Sequence, residues 1–325
     1  GQGHRGGLGP DGVSVPGAKE TGRTVQRPAV EMRPIEVADL RPVPFGPSID
    51  AAVADAYARL GVVQIKPDIW ERAVRIPDEL PRSHTLGNLR HYLRDYQRIR
   101  RSLATHGTST ESRYQAVYHP LSTLWATNKL EIDGTKTAGL NAWQRIEALT
   151  EVVKLCAGDS RARILEAGCG FGGNLALLRH IAPECQLSGF EYSPARCASS
   201  IINLAIEAPE IRLFMADVTD LRVPDASQDV VFSFHVLEQI GQAASERALA
   251  EMWRVARRGI VLAEPSIVGA NRYERWRMRA LGYCQDLREA VRALPGAVIV
   301  RDGPDRCRTW PNTSRLIVAR RGGSA

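Results

Sequence analysis

Ile164-Leu165-Glu166-Ala167-Gly168-Cys169-Gly170-Phe171-Gly172-Gly173-Asn174 is the stretch on which the fold turns. Its short apolar run, Ile164–Ala167, reads as a buried strand, and the glycines behind it read as a tight turn. Leu175, Leu178 and Ile181 then recur at helical spacing, which predicts a helix over Asn174–Ile181. Glycine permits backbone torsions closed to other residues and lets a ligand lie against bare main chain. A helix that starts just past such a turn aims its free N–H groups at the same place. The spacing of Gly168, Gly170 and Gly173 alone fits nucleotide-binding turns in general, dinucleotide folds included.

The residues downstream narrow this reading. Gln186–Phe190 is a second apolar run, and Glu191 closes it. An acid roughly 20 residues past the glycines is placed to bind the ribose hydroxyls of an adenosine. Ser193 and Pro194 read as the N-cap and first turn of the next helix. Ile211–Met215 predicts a third strand that ends in Ala216-Asp217, a second acid able to accept a hydrogen bond from an adenine amino group. Val230–Phe234 predicts a buried fourth strand, Ala243–Val255 a helix and Gly259–Ala263 a fifth strand. A helical insert at 269–294 interrupts the alternation before two last strands, Ala297–Val300 and Arg315–Ala319. Strands alternating with helices predict an α/β fold, a doubly wound Rossmann-like sheet with helices on both faces.

Several motifs stand in a telling order: the acid and glycine loop at 166–172, Glu191, Asp217, the Leu221-to-Pro224 spacer, the buried fourth strand, and His235-Val236-Leu237-Glu238-Gln239-Ile240. From about Trp143 to Val318 this succession resembles the class I S-adenosylmethionine-dependent methyltransferases, in particular their small-molecule branch. Trp310-Pro311-Asn312-Thr313-Ser314-Arg315 resembles the hairpin that sets the family's antiparallel last strand, so seven strands are expected. The resemblance implies S-adenosyl-L-methionine as cofactor. It implies that Glu166, Gly168, Gly170 and Gly172 shape the methionine end of its site, and that Glu191, with Tyr192 beside it, holds the ribose. It further implies that Asp217 and Val218 flank the adenine, and that Phe234 and His235 lie beside the sulfonium. Three positions depart from the family pattern: Cys169 in the loop, Arg257-Arg258 before Gly259 where two glycines are frequent, and Gln239 where a second histidine is frequent.

Upstream, Gly1–Ser48 is rich in glycine and proline, the composition of a disordered tail. Residues 49–113 read as a helical N-terminal extension, with one helix over Ala51–Leu60 and a basic one over His84–Leu103. Residues 114–322 are assigned to the methyltransferase domain, which includes the 269–294 insert. The chain has 325 residues and a formal net charge of +7, mostly from arginine. Arginine stripes suit an acidic substrate or a phosphate backbone, but along a helix they mostly mark a wet face. The six cysteines form no Cys-x-x-Cys pair, so neither a zinc site nor any other metal site is expected, nor a disulfide framework. Reduced thiols and the lack of a long apolar span point to a cytoplasmic protein without a membrane segment.

Methyl transfer requires alignment of an acceptor lone pair, and a hydroxyl acceptor also requires a base. The candidate bases are His235, Glu238 and His119. No Asn/Asp-Pro-Pro-aromatic motif and no cysteine follow the fourth strand, which disfavours nucleobase methylation of the usual kinds. The acceptor pocket is expected at the carboxyl ends of the strands, walled by 114–129 and the insert, with Tyr118, Trp125, Tyr273, Trp276 and Arg277. The expected reaction is methyl transfer to O or N of a small molecule, one with an anionic group given the insert's arginines. RNA or protein acceptors, a nicotinamide-dependent oxidoreductase and a non-catalytic scaffold are the alternatives.

Overall fold

The computed structural model describes residues 127–323, apart from 157–158, 193–195, 198–199, 202, 205–207, 209 and 310–313, together with 74–76, 93, 96–97 and 100–101. The expected tail, the helix over Ala51–Leu60, and the site residues Tyr118, His119 and Trp125 lie outside the described residues. So do Ser193 and Pro194. Within the second expected helix, Leu93, Tyr96, Gln97, Arg100 and Arg101 are helical.

The described strands are β1 (Thr127–Ile132), β2 (Thr135–Leu140), β3 (Arg163–Ala167), β4 (Gln186–Glu191), β5 (Arg212–Met215), β6 (Gln228–Phe234), β7 (Ala256–Pro265), β8 (Ala297–Pro304), β9 (Cys307–Thr309) and β10 (Ser314–Arg321). The helices with full bounds are α1 (Trp143–Leu155), α2 (Gly173–Ile181), α3 (Gln242–Val255), α4 (Arg272–Ala280) and α5 (Arg288–Arg292). Seven strands form one sheet in the order β5-β4-β3-β6-β7-β10-β8. Strands β3 to β7 run parallel, and β10 runs antiparallel to both neighbours. The strand order reverses at β3, which puts the crevice of a doubly wound sheet at the carboxyl ends of β3 and β6.

Alternation along the strands explains why helices cover both faces. Ile164, Phe232, Val261 and Leu316 point to one face, where Leu149 and Val152 of α1 and Leu175 and Leu178 of α2 meet them. Leu165, Val231, Ile260 and Ile317 point to the other, against Leu249 and Met252 of α3 and Val291 of α5. A strand buried on both sides reads as a continuous apolar run, which is what Val230-Val231-Phe232 is.

Two features differ from the sequence expectation. β7 starts at Ala256, three residues before the expected Gly259. Ala256 pairs with Gln228 ahead of a register shift, and Asp229 on β6 anchors this stretch: its buried carboxylate accepts the Arg163 N–H at 2.9 Å and Arg257 Nε at 2.8 Å. Burial alone would raise this carboxyl, yet the Arg163 N–H and the Arg257 guanidinium hold it below the ordinary value. The second difference is a hairpin, β1–β2, which joins β9 in a separate three-stranded sheet. Its two-residue turn is Asp133-Gly134, with φ of 47° and 80°, the left-handed pair that matches strand twist. No described helix is long and apolar enough to cross a membrane.

Glycine at position 259 has a packing reason. A Cβ there would run into the Ala319 carbonyl of β10, and Gly259 pairs with Arg320 across that ladder. Gly259→Ala is expected to cost about 1–3 kcal/mol of stability, the usual range for overpacking. Thermal denaturation checks this, and an unchanged midpoint would contradict the close β7–β10 approach.

Candidate active site

The turn after β3 carries Gly168, Gly170 and Gly172 at φ of 65°, 56° and 77°. A Cβ at Gly168 would strike Val236 and one at Gly172 would strike Leu204, but one at Gly170 meets nothing within 4 Å. Position 170 is therefore bare backbone facing open space. Its N–H donates to Glu191 Oε2 at 3.0 Å, which joins the loop to the acid that closes β4. One strand over, Glu166 is buried, and Asn174 Nδ2 of α2 donates to its Oε1 at 2.6 Å. Glu166 Oε2 has no hydrogen-bond partner. Burial pushes the Glu166 carboxyl up to about 8, against the Asn174 bond and the nearby Arg145.

Arg145 was not singled out by the sequence reading. It sits in the first turn of α1, donates from Nη1 to the Asn141 carbonyl at 2.6 Å, and lies over the Phe234 ring at 5.2 Å. Burial pulls the guanidinium below its ordinary value, and the attraction of Glu166 opposes this. The available signal is an arginine placed among Trp143, Ile146 and Leu149 on a mostly apolar helix.

Beyond β5, Asp217 Oδ1 accepts from both the N–H and the hydroxyl of Thr219 at 2.8 Å, a local turn that fixes its carboxyl group. Val218 is buried beside it, whereas Tyr192 is 66% exposed.

At the carboxyl ends of β6 and β7 a second polar cluster forms. His235 has a left-handed φ of 58°, and its N–H donates to the Ala263 carbonyl at 2.9 Å. Its Nε2 lies 2.8 Å from Ser314 Oγ and its Nδ1 lies 3.4 Å from Glu238 Oε1. Glu264 beneath them accepts from Ser233 Oγ at 2.8 Å and from the N–H groups of Val236 and Glu238 at 3.1 and 3.2 Å. Burial, then Glu238, raise the Glu264 carboxyl to about 7, with His235 opposing. Glu264 and Ser314 were missed in the sequence. Glu264 follows the predicted strand Gly259–Ala263 as Glu191 follows Gln186–Phe190, so its position was a usable signal.

The insert contributes α4, whose N-cap Asn271 and Glu274 form a reciprocal capping box. Its end is tied to the second cluster, because the Cys284 N–H donates to the Glu238 carbonyl at 2.8 Å. Of the three insert residues expected to wall a pocket, Tyr273 and Trp276 stack with ring centres 5.7 Å apart. Arg277 turns inward: it is buried, with its guanidinium 5.8 Å from the Tyr283 ring centre. The exposed arginines of the helix are Arg272, Arg275 and Arg279.

Residues 164–259 match a family model described as a methyltransferase domain. A probable S-adenosylmethionine-dependent methyltransferase of Mycolicibacterium smegmatis is 32% identical over 104 residues, 32% of this chain and 36% of that protein. One from Mycobacterium tuberculosis is 32% identical over 94 residues, 29% of this chain and 31% of that protein. The chain thus spans about a third of the length of the curated relatives it matches. Among solved structures, magnesium protoporphyrin IX methyltransferase from Synechocystis PCC 6803 with bound SAM gives a TM-score of 0.43 at 18% identity, covering 56% of this chain and 81% of that one. The glycine turn, Glu166, Glu191 and Asp217 all lie inside the matched segment, so residues 164–259 are similar to a methyltransferase domain and, in part, to S-adenosylmethionine-dependent methyltransferases.

Proposed function

We propose that the protein transfers the methyl group of S-adenosylmethionine to an oxygen or nitrogen of a small-molecule acceptor. The observation that carries this reading is the Gly170 N–H bonded to Glu191 beside the buried Glu166. It lines up a bare backbone, a carboxylate for ribose hydroxyls and a carboxylate for a cation along one edge. The residues fit the cofactor on two counts. Position 170 leaves open the space a side chain would fill, and Glu166 Oε2 is a buried acceptor that lacks a hydrogen bond. An ammonium group satisfies such an oxygen.

On this reading Glu166, Gly168, Gly170 and Gly172 hold the methionine end, and Arg145 holds its carboxylate. Glu191 takes the ribose, Asp217 and Val218 flank the adenine with Tyr192 at the outer edge, and Phe234 and His235 lie near the sulfur. S-adenosylmethionine supplies a methyl group on a positively charged sulfur, already activated for displacement. The chain's own task is to align the acceptor and exclude water, and orientation of this kind is worth about 7–11 kcal/mol. For a hydroxyl acceptor, Ser314, His235 and Glu238 form the route for the proton. The acceptor proton passes to Ser314 Oγ while the hydroxyl proton of Ser314 passes to His235 Nε2, and Glu238 stabilises the resulting imidazolium.

Glu191→Ala is expected to weaken binding of S-adenosylhomocysteine by on the order of 1–3 kcal/mol, the loss of charge-assisted hydrogen bonds. Asp217→Ala should cost less, because an adenine amino group offers one hydrogen bond and Oδ1 is already taken by Thr219. Calorimetric titration of both variants decides it, and unchanged affinity for Glu191→Ala contradicts the ribose assignment.

The same titration run across pH reads Glu166. Its carboxyl titrates near 8, so at neutral pH it is mostly protonated, and a bound ammonium favours the ionised form. Affinity for S-adenosylhomocysteine should therefore rise between pH 6 and 8, by at most about tenfold per unit. Glu166→Gln should flatten the profile. A rise that persists in Glu166→Gln assigns the titration to another group.

A further inference from the structure

The exposed face of α4 carries charge that the helix itself does not need. Arg272, Arg275 and Arg279 stand at i, i+3 and i+7 on one side, all exposed. None of the three forms an ion pair among the described residues, although Arg254, Arg288, Arg301, Arg306, Arg308 and Arg315 each meet a carboxylate. The nearest acid on the helix, Glu274, is buried in the capping box on the other side. Like charges at these spacings repel by tenths of a kcal/mol each, and Arg272 sits in the first turn, where the helix dipole opposes a cation. The dipole favours Arg279 in the last turn, but no carboxylate among the described residues neutralises any of the three charges.

A recess lies along this face, lined by Arg272, Arg275, Trp276, Arg279 and Ala280. Trp276 forms its apolar wall and is braced by Tyr96 and Tyr273, with ring centres at 4.9 and 5.7 Å. Arg275 is steered by its Nε bond to the Ala270 carbonyl at 2.8 Å, which leaves its two terminal nitrogens to the recess. Guanidinium groups grip phosphate and carboxylate oxygens bidentately, and an indole face takes a flat ring.

We propose that this recess binds a planar aromatic group bearing a phosphate or carboxylate, with Trp276 under the ring and Arg272, Arg275 and Arg279 on the anion. The segment that follows α4 is tied to the turn after β6, where the Cys284 N–H donates to the Glu238 carbonyl. This deepens the acceptor reading given above and rests on it only for the identification of that ligand as the acceptor.

The test uses the full chain and 2-naphthyl phosphate as probe, with 2-naphthol and methyl phosphate as the neutral and ring-free controls. Calorimetry should show 2-naphthyl phosphate binding at least tenfold tighter than either control. Arg272→Gln with Arg279→Gln should weaken it at least tenfold, and Trp276→Leu should weaken it separately, while affinity for S-adenosylhomocysteine stays unchanged in all variants. Failure of the wild type to prefer the naphthyl phosphate, or equal binding by the arginine variant, overturns the proposal. So does tighter binding of a single-stranded oligouridylate lost in the same arginine variant, which would assign the face to nucleic acid. Loss of S-adenosylhomocysteine binding by the wild type is a separate result, and it bears on the methyltransferase reading alone.

Discussion

The burial of carboxylates at one edge of the parallel sheet is the constraint on which the site depends. Glu166 in β3, Glu191 at the end of β4 and Glu264 near the end of β7 are all buried. A buried charge without partners costs several kcal/mol, so each acid needs a neighbour fixed in place. Glu191 has the Gly170 N–H, Glu166 has Asn174, and Glu264 has the N–H groups of the turn after β6. Each of these donors is supplied by a loop or helix start that follows a parallel strand. The acids thus fix the loops, and the loops define the crevice at the point where strand order reverses.

The two clusters are not alike. Around Glu166 the polar groups are incompletely satisfied, since one oxygen lacks a partner and burial drives the carboxyl up. Around Glu264 three donors serve one carboxylate, and His235 is gripped on both ring nitrogens. An unsatisfied buried acid suits a place where a cationic ligand arrives. Three donors on Glu264 suit a wall that holds its shape, although burial raises that carboxyl as well. Arg145 links the two, lying over Phe234 while its charge is felt by Glu166.

Much of this was legible in the sequence, because parallel strands buried on both faces appear as plain apolar runs and glycine turns have few alternatives. Ile164–Ala167, Gln186–Phe190 and Val230–Phe234 fell within two residues of the observed strands at either end. The contact of Glu191 with the glycine loop follows from the pairing of β3 with β4, side by side in the sheet. The β1–β2 hairpin was missed although Ile132-Asp133-Gly134-Thr135 carries a strong turn signal, because the buried positions of β2 are Thr137 and Gly139 and the strand shows no apolar alternation. Arg145 and Ser314 could not be read from local pattern. Their partners, Phe234 and His235, are 89 and 79 residues away in the chain, and only the packing of α1 and β10 brings them together. The burial of Arg277 was hidden for a related reason: a helix of mixed arginines does not announce which of them faces Tyr283.

The central claim is that this crevice takes a sulfonium nucleoside and not a nicotinamide dinucleotide, although the glycine turn alone admits either. Calorimetric titration of the purified chain with S-adenosylmethionine and, separately, with NAD tests it most directly. The account predicts one-to-one binding of S-adenosylmethionine and no detectable heat for NAD. Tight binding of NAD with none of S-adenosylmethionine would contradict it.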